Sequence, residues 1–276
     1  MSDRYLETRT ALVTGGATGQ GREIALALAS RGCNVAIGSR LAGEGRALAT
    51  VFTNLPSKGD LDAVCHEIEG HGVRAIGVDH DLRSTESCES LYQAATRAFG
   101  HVDILINAAG IYFVHPISGH ADEDWDRVID VNLNGAYRMT KLALPEMIKA
   151  RWGRIVNISS TAANVGGADN SAYCASKSGL LGLTRCVALE GAPYGVTCNA
   201  INPGWVDTRM MGQLLEHEAE TANEDIDAVV QAFAEDYPQK RAIHPREIAA
   251  LVAFLCHDDA LGLTMEDISV AGGALW

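Results

Sequence analysis

Along the chain, short apolar runs rich in β-branched residues alternate with longer stretches whose apolar positions recur every three or four residues. The short runs read as strands over Ala11–Thr14, Val35–Ser39, Val73–Val78, Val102–Asn107, Arg154–Ser159, Val196–Ile201 and Ile268–Val270. The longer stretches read as helices. In the clearest one, Cys88, Leu91, Tyr92, Ala95 and Phe99 keep helical spacing, with Ser84 or Thr85 as the cap and Gly100 as the stop. Such alternation predicts a parallel sheet with helices on both faces. Right-handed crossovers then favour a doubly wound order, with a ligand expected at the carboxyl ends of the strands.

Two stretches depart from that rhythm. The span from Leu41 to Gly72 is longer than one crossover helix requires and holds the breakers Asn54-Leu55-Pro56-Ser57. An insertion is therefore expected at 41–60, ahead of a helix over Leu61–Glu69. The stretch from Met210 to Gln239 contains eight acids and no Lys or Arg, while Ile226, Val229, Val230, Phe233 and Tyr237 keep helical spacing. It reads as an acidic amphipathic helical excursion spanning 205–240. The fold class expected is α/β: a single-domain Rossmann-type doubly wound parallel sheet of about seven strands covering 1–276.

Composition narrows the function. With 276 residues, 47% of them hydrophobic and 21% charged, the chain can bury the core of one large domain. Its net charge of −13 repels phosphate backbones and anionic lipid, so no nucleic acid and no membrane is expected as partner. No apolar run reaches the roughly 18 residues of a membrane span. Residues Met1 to Glu7 lack the apolar core of a secretory signal. The seven cysteines form no CxxC pair, which fits reduced thiols and a cytoplasmic location. The histidines form no HExxH cluster, so no metal is expected.

The first strand runs into Thr14-Gly15-Gly16-Ala17-Thr18-Gly19-Gln20-Gly21, and a helical pattern follows from Arg22. Glycines at a strand–helix junction permit a tight turn and the close approach of a diphosphate to the helix N-terminus, whose N–H groups favour anions. An ordinary glycine-rich turn would read the same way on spacing alone.

The TGxxxGxG arrangement resembles the glycine signature of the short-chain dehydrogenase/reductase family. The resemblance continues in order through Asn107-Ala108-Ala109-Gly110, Asn132, Ser160, Tyr173-x3-Lys177 and Pro203-Gly204, nearly the whole chain from Leu6 onward. It implies an NAD(P)-dependent alcohol dehydrogenase or ketoreductase acting on a small secondary alcohol or carbonyl substrate, assembled as a homotetramer. Gly15, Thr18, Gln20 and Gly21 would hold the diphosphate end. Asp81 and Leu82 would lie near the adenine, and Asn107, Ala108 and Gly110 beside the adenosine ribose. Ala108 departs from the Asn often found there. Pro203, Gly204, Val206 and Thr208 would surround the nicotinamide carboxamide. Ser39 stands where NAD-selective members carry Asp, and the neighbouring Arg40 can pair with a 2′-phosphate. NADP(H) is thus the preferred cofactor, with NAD(H) possible, since Arg40 can equally be a solvated side chain.

The chemistry follows from residue types. Taking hydride from an alcohol carbon leaves a hydroxyl proton that must depart, and tyrosine, with an ordinary pKa of about 10, is a poor base at neutral pH. Tyr173 and Lys177 lie four apart in the helical pattern Ala172–Leu189, so they share a face, and both also contribute to the cofactor site. The ammonium and the positive charge of an oxidised nicotinamide both favour the phenolate. Lowering its pKa by about 3 units takes roughly 4 kcal/mol. By the family's thirteen-residue spacing to the tyrosine, Ser160 rather than Ser159 would donate to the substrate oxygen. Asn132 resembles the residue that organises a helix irregularity and a water-linked proton path to the lysine. Expected substrate walls are Tyr112, His115, Val165, Gly166, Trp205 and Met210. Two alternatives stay open: a relative that keeps NAD tightly bound and passes electrons to a second carrier, which Gln20 and the 41–60 insertion resemble, and a non-catalytic dinucleotide sensor.

Overall fold

The computed structural model describes residues 4–43 and 55–274. Seven strands are present among them: β1 (Thr10–Thr14), β2 (Asn34–Ser39), β3 (Ala75–Asp79), β4 (Ile104–Asn107), β5 (Gly153–Ile158), β6 (Val196–Pro203) and β7 (Asp267–Val270). They form one parallel sheet in the order β3-β2-β1-β4-β5-β6-β7. The order reverses between β1 and β4, so a crevice opens at their carboxyl ends.

Helices cover both faces: α1 (Gly19–Ser30), α2 (Lys58–Glu69), α3 (Thr85–Phe99), α4 (Asp122–Ile129), α5 (Gly135–Ala150), α6 (Ser171–Gly191), α7 (Arg209–Ala222), α8 (Ile226–Glu235) and α9 (Pro245–Leu255). Successive strand residues point to opposite faces. Val13, Ile37 and Ile106 accordingly join Ile24 and Leu28 of α1 and Val252 of α9 in one core. Leu12, Ala36 and Leu105 join Leu91 of α3, Met139 of α5 and Val187 of α6 in the other. Among the described residues no helix is long and apolar enough to cross a membrane.

Both unusual stretches differ in detail from expectation. Helix α2 starts at Lys58, three residues before the sequence pattern predicts, because Ser57 caps it: the Ser57 hydroxyl accepts from Asp60 N while the Asp60 carboxylate accepts from Ser57 N. Most of the expected insertion, residues 44–54, lies outside the described residues. Its foot is closed by the Ala42 N–H donating to Pro56 O at 2.9 Å. The acidic excursion is two helices, α7 and α8, parted at Asn223, whose φ of 53° is left-handed.

Candidate active site

The crevice is built on two glycines. Past β1 the chain turns through Gly15 at φ 70°, and a Cβ there would sit 2.8 Å from the Ala109 Cα. A Cβ on Gly21 would overlap the Gly15 carbonyl oxygen. Neither position admits a side chain, so the β1 and β4 turns pack against each other and α1 starts flush with them. Two side chains fix the turns. Thr14 Oγ1 accepts from the N–H groups of Ala108 (3.2 Å) and Ala109 (3.3 Å), and Ser39 Oγ accepts from Ala17 N at 3.0 Å. Thr18, the cap of α1, is extended and makes no side-chain capping bond, leaving the helix N-terminus to the groove.

The resulting groove holds about 1130 Å³ of space open to solvent and is lined by Gly15, Thr18, Gln20, Gly21, Ser39, Arg40, Asp81, Leu82, Ala108, Gly110 and Thr208. An extended, diphosphate-bearing ligand fits this cradle, whose shape a Cβ at Gly15 or Gly21 would destroy by forcing the packed turns apart. At its β2–β3 end, Arg40 Nε lies 3.5 Å from Asp81 Oδ2, and Arg83 clasps the same carboxylate through Nε and Nη2. Burial raises the Asp81 pKa, but the Arg83 bonds and the Arg40 charge outweigh it and bring the carboxyl down to about 2. One acid thus stands between two guanidiniums.

At the other end lies the acid–base cluster. Between α4 and α5 the chain makes a π-helical turn over Asp130–Asn134. From it the buried Asn132 grips Ile111: Oδ1 accepts from Ile111 N at 2.9 Å, and Nδ2 donates to Ile111 O at 3.0 Å and to Ser176 Oγ at 3.2 Å. Lys177 Nζ donates to Ile158 O at 2.9 Å and sits 5.5 Å from the Tyr173 ring centroid. A Cβ on Gly110 would touch both Asn132 Oδ1 and Lys177 Nζ at 3.5 Å, so the groove wall meets the cluster there. The Ser160 hydroxyl acts on the Tyr173 phenol in the direction that favours its charged form. The alternative serine, Ser159, donates instead to Lys177 O at 3.1 Å and braces α6.

The electrostatics differ from the sequence expectation. Burial raises the Tyr173 pKa, the Ser160 hydrogen bond only partly opposing it. Burial also lowers Lys177 from 10.5 to about 8. The chain's own groups therefore hold the phenol protonated, and a lowered value needs a further positive charge beside it. The Tyr112 ring meets Tyr173 edge-on at 4.7 Å between centroids, and burial pushes its hydroxyl pKa up.

Several predicted residues take other positions. Asn107 is buried in a polar ladder, donating to Asn157 Oδ1 at 2.8 Å and Thr140 Oγ1 at 3.4 Å. Pro203 ends β6 in the interior, and Gly204 abuts Ala271 and Tyr237. Val206 pairs with Ile243 in an isolated bridge and joins the core. Trp205 packs with Phe233 and Tyr237 in a small separate cluster. Conversely, His80, Arg127 and Val131 line the groove without having been marked by the sequence reading. Val131, the neighbour of Asn132, and His80, the neighbour of Asp81, each had a local signal that pointed to it; Arg127 had none.

Comparison with known proteins gives a consistent result. A family model described as enoyl-(acyl carrier protein) reductase matches residues 15–274. D-beta-hydroxybutyrate dehydrogenase of Cupriavidus necator is 37% identical over 258 residues, covering 92% of this chain and 93% of that protein. The 3-oxoacyl-[acyl-carrier-protein] reductase FabG of Aquifex aeolicus is 35% identical over 268 residues, covering 97% and 98%. Among solved structures, NAD+-bound xylitol dehydrogenase superposes with a TM-score of 0.86 at 29% identity, over 97% of this chain and 99% of that one. With its glycine cradle, π-turn asparagine and a tyrosine beside a buried lysine, the chain belongs to the short-chain dehydrogenase/reductase family of oxidoreductases.

Proposed function

We propose that this chain interconverts a small, uncharged secondary alcohol and its ketone, using NADP(H) in preference to NAD(H), with Tyr173 as the acid–base group. The observation that carries the reading is Lys177 Nζ standing 5.5 Å from the Tyr173 ring centroid, where the groove wall at Gly110 ends, with Ser160 acting on the same phenol. The bound nicotinamide supplies the hydride acceptor or donor. Ser160 orients the substrate oxygen by hydrogen bonding. In oxidation Tyr173 Oη takes the hydroxyl proton as the carbinol C–H leaves with its electron pair; in reduction it returns the proton to the carbonyl oxygen. Lys177 favours the phenolate by its charge. Asn132 is a positioning residue, acting through Ile111 on the wall beside Gly110.

Ser39 in place of an acid, and Arg40 on the groove wall, support the phosphorylated cofactor. The expected walls Tyr112, Trp205 and Met210 carry no charge, which favours an uncharged substrate, although Arg209 also lines the groove. Exposed Tyr137 on α5, Leu189 on α6 and Phe254 on α9 suit burial between subunits of a homotetramer. Seven unpaired cysteines suit the cytoplasm.

One experiment tests this: turnover of secondary alcohols and polyols with NADP+ beside NAD+, for the wild type and two variants. Tyr173→Phe should lose at least about a thousandfold in kcat while cofactor affinity holds, the loss expected for an acid–base group. Activity surviving the change would remove the proposed role. Arg40→Ala should weaken NADP+ about tenfold or more, the worth of one charge-assisted contact, and leave NAD+ nearly unchanged. Equal weakening of both would count against the preference. A second reading, tightly held NAD with a separate electron acceptor, is favoured by Leu55 and Pro56, at the foot of the insertion, lining the groove. Nicotinamide retained in stoichiometric amount through dialysis of the same preparation would select it.

A further inference from the structure

His80 follows β3 and is 3% exposed, yet among the described residues neither ring nitrogen has a hydrogen-bond partner. It also lines the groove. A buried polar group without a partner is destabilising, so an apolar side chain would serve better if filling space were its only task. The ring packs where Gly38, itself on the groove wall, carries no side chain: a Cβ there would come 3.3 Å from His80 Cδ2. Its backbone N–H donates to Ser39 O, which fixes it beside the β2 end. Burial pushes the imidazole down to about 4 against the opposing charges of Asp81 and Asp79. It is therefore neutral at physiological pH and offers one N–H donor and one acceptor nitrogen.

The groove has a direction. Its reaction end is fixed by Gly110, Tyr173 and Lys177, and its diphosphate cradle by Gly15 and Gly21. The β2–β3 end, where His80 sits, is left for the nucleoside. We propose that His80 anchors the adenosine half of the dinucleotide, a turn of the ring presenting its nitrogens to the nucleoside's hydroxyl and ring-nitrogen groups. This rests on the nicotinamide-dinucleotide reading and adds a binding residue to it.

The test uses fragments that separate the two halves. ADP-ribose, with and without a 2′-phosphate, carries the adenosine; nicotinamide mononucleotide does not. By calorimetry, His80→Leu should weaken the ADP-ribose ligands about tenfold, the scale of one to two hydrogen bonds, while nicotinamide mononucleotide changes less than about twofold. His80→Gln, with an amide donor and acceptor, should recover part of the loss. The melting temperature of the ligand-free Leu variant should not fall, since it removes an unsatisfied imidazole. Unchanged ADP-ribose affinity overturns the proposal, as does an equal loss for both fragments with a lowered melting temperature. Should His80→Leu not fold, the wild type decides: an imidazole ¹⁵N resonance missing from His80→Gln must shift on adding an ADP-ribose ligand, and a static resonance overturns it. A wild type that binds no ADP-ribose ligand removes the dinucleotide reading and this proposal together.

Discussion

Lys177 combines full burial with a charge, and the two oppose each other. Its ammonium is satisfied by Ile158 O at 2.9 Å, yet desolvation lowers its pKa from 10.5 to about 8. Below pH 8 the lysine is charged in folded and unfolded chains alike, so the folded state bears the whole desolvation cost. Between pH 8 and 10.5 the folded protein releases the proton while the unfolded chain keeps it. The unfolded state then binds more protons, and stability rises with pH through that window. The shift corresponds to about 3 kcal/mol, and the Ile158 bond lost on substitution returns about 1 kcal/mol of it. Lys177→Met should therefore abolish turnover yet stabilise the protein by about 2 kcal/mol at pH 7, a gain that is lost within the pH 8–10.5 window and becomes a deficit of about 1 kcal/mol above it. Urea unfolding at pH 7 and pH 10.5 measures it. A variant less stable than wild type at pH 7 would show that the ammonium is not held at a cost. The same tension explains why charge and burial, not spacing, set the state of Tyr173.

At the scale of elements, the strands fell within one or two residues of expectation because each is an apolar run whose neighbours cannot continue it. Helix α6 likewise extends only from Ser171 to Gly191 where Ala172–Leu189 was expected. What escaped was decided by side chains reaching back to the backbone. The Ser57–Asp60 capping box was present in the sequence, but its proximity to Pro56 assigned it to an insertion. The break at Asn223 depends on one left-handed residue inside an otherwise continuous amphipathic pattern. The π-turn at Asp130–Asn134 has no pattern of its own. It was implied only by resemblance at Asn132, whose side chain satisfies an N–H and a C=O twenty-one residues away. Within the site, the glycine turn and the Ser160–Tyr173–Lys177 set were legible because order and spacing encode them. Asn107 was legible as a position but not as a direction: its side chain belongs to the ladder with Asn157 and Thr140. His80 was legible only as the neighbour of Asp81, since burial without a partner is a property of the packed state.

Across the whole molecule, stability is unevenly distributed. The sheet is packed on both faces by extensive cores. Helices α7 and α8 instead pack mainly on each other around Trp205, Leu215, Ala219, Val229 and Tyr237, with Ile226 and Val230 partly exposed. Among the described residues the backbone ties to the body run through the segments flanking these helices: Trp205 N donates to Tyr237 Oη at 3.1 Å, Asp207 N to Ile243 O at 2.9 Å and Gln239 N to Gly272 O at 3.1 Å, and Val206 pairs with Ile243. Yet the first turn of α7 reaches the groove. Thr208 lies 3.6 Å from where a Gly19 Cβ would stand, and Arg209 and Met210 line the cavity. A segment with a small core and a foot on the ligand site opens locally at low cost and closes when the ligand supplies the missing contacts. In hydrogen exchange, the amides of α7 and α8 should exchange at least about 100-fold faster than those of β1, β4 and β5, as sub-global opening requires. Saturating NADP+ should slow the first turn of α7 more than α8, because only that turn borders the groove. Protection of the excursion equal to that of the sheet, or a ligand effect centred on α8, would mean that these helices are a fixed part of the body and that access to the groove is controlled elsewhere.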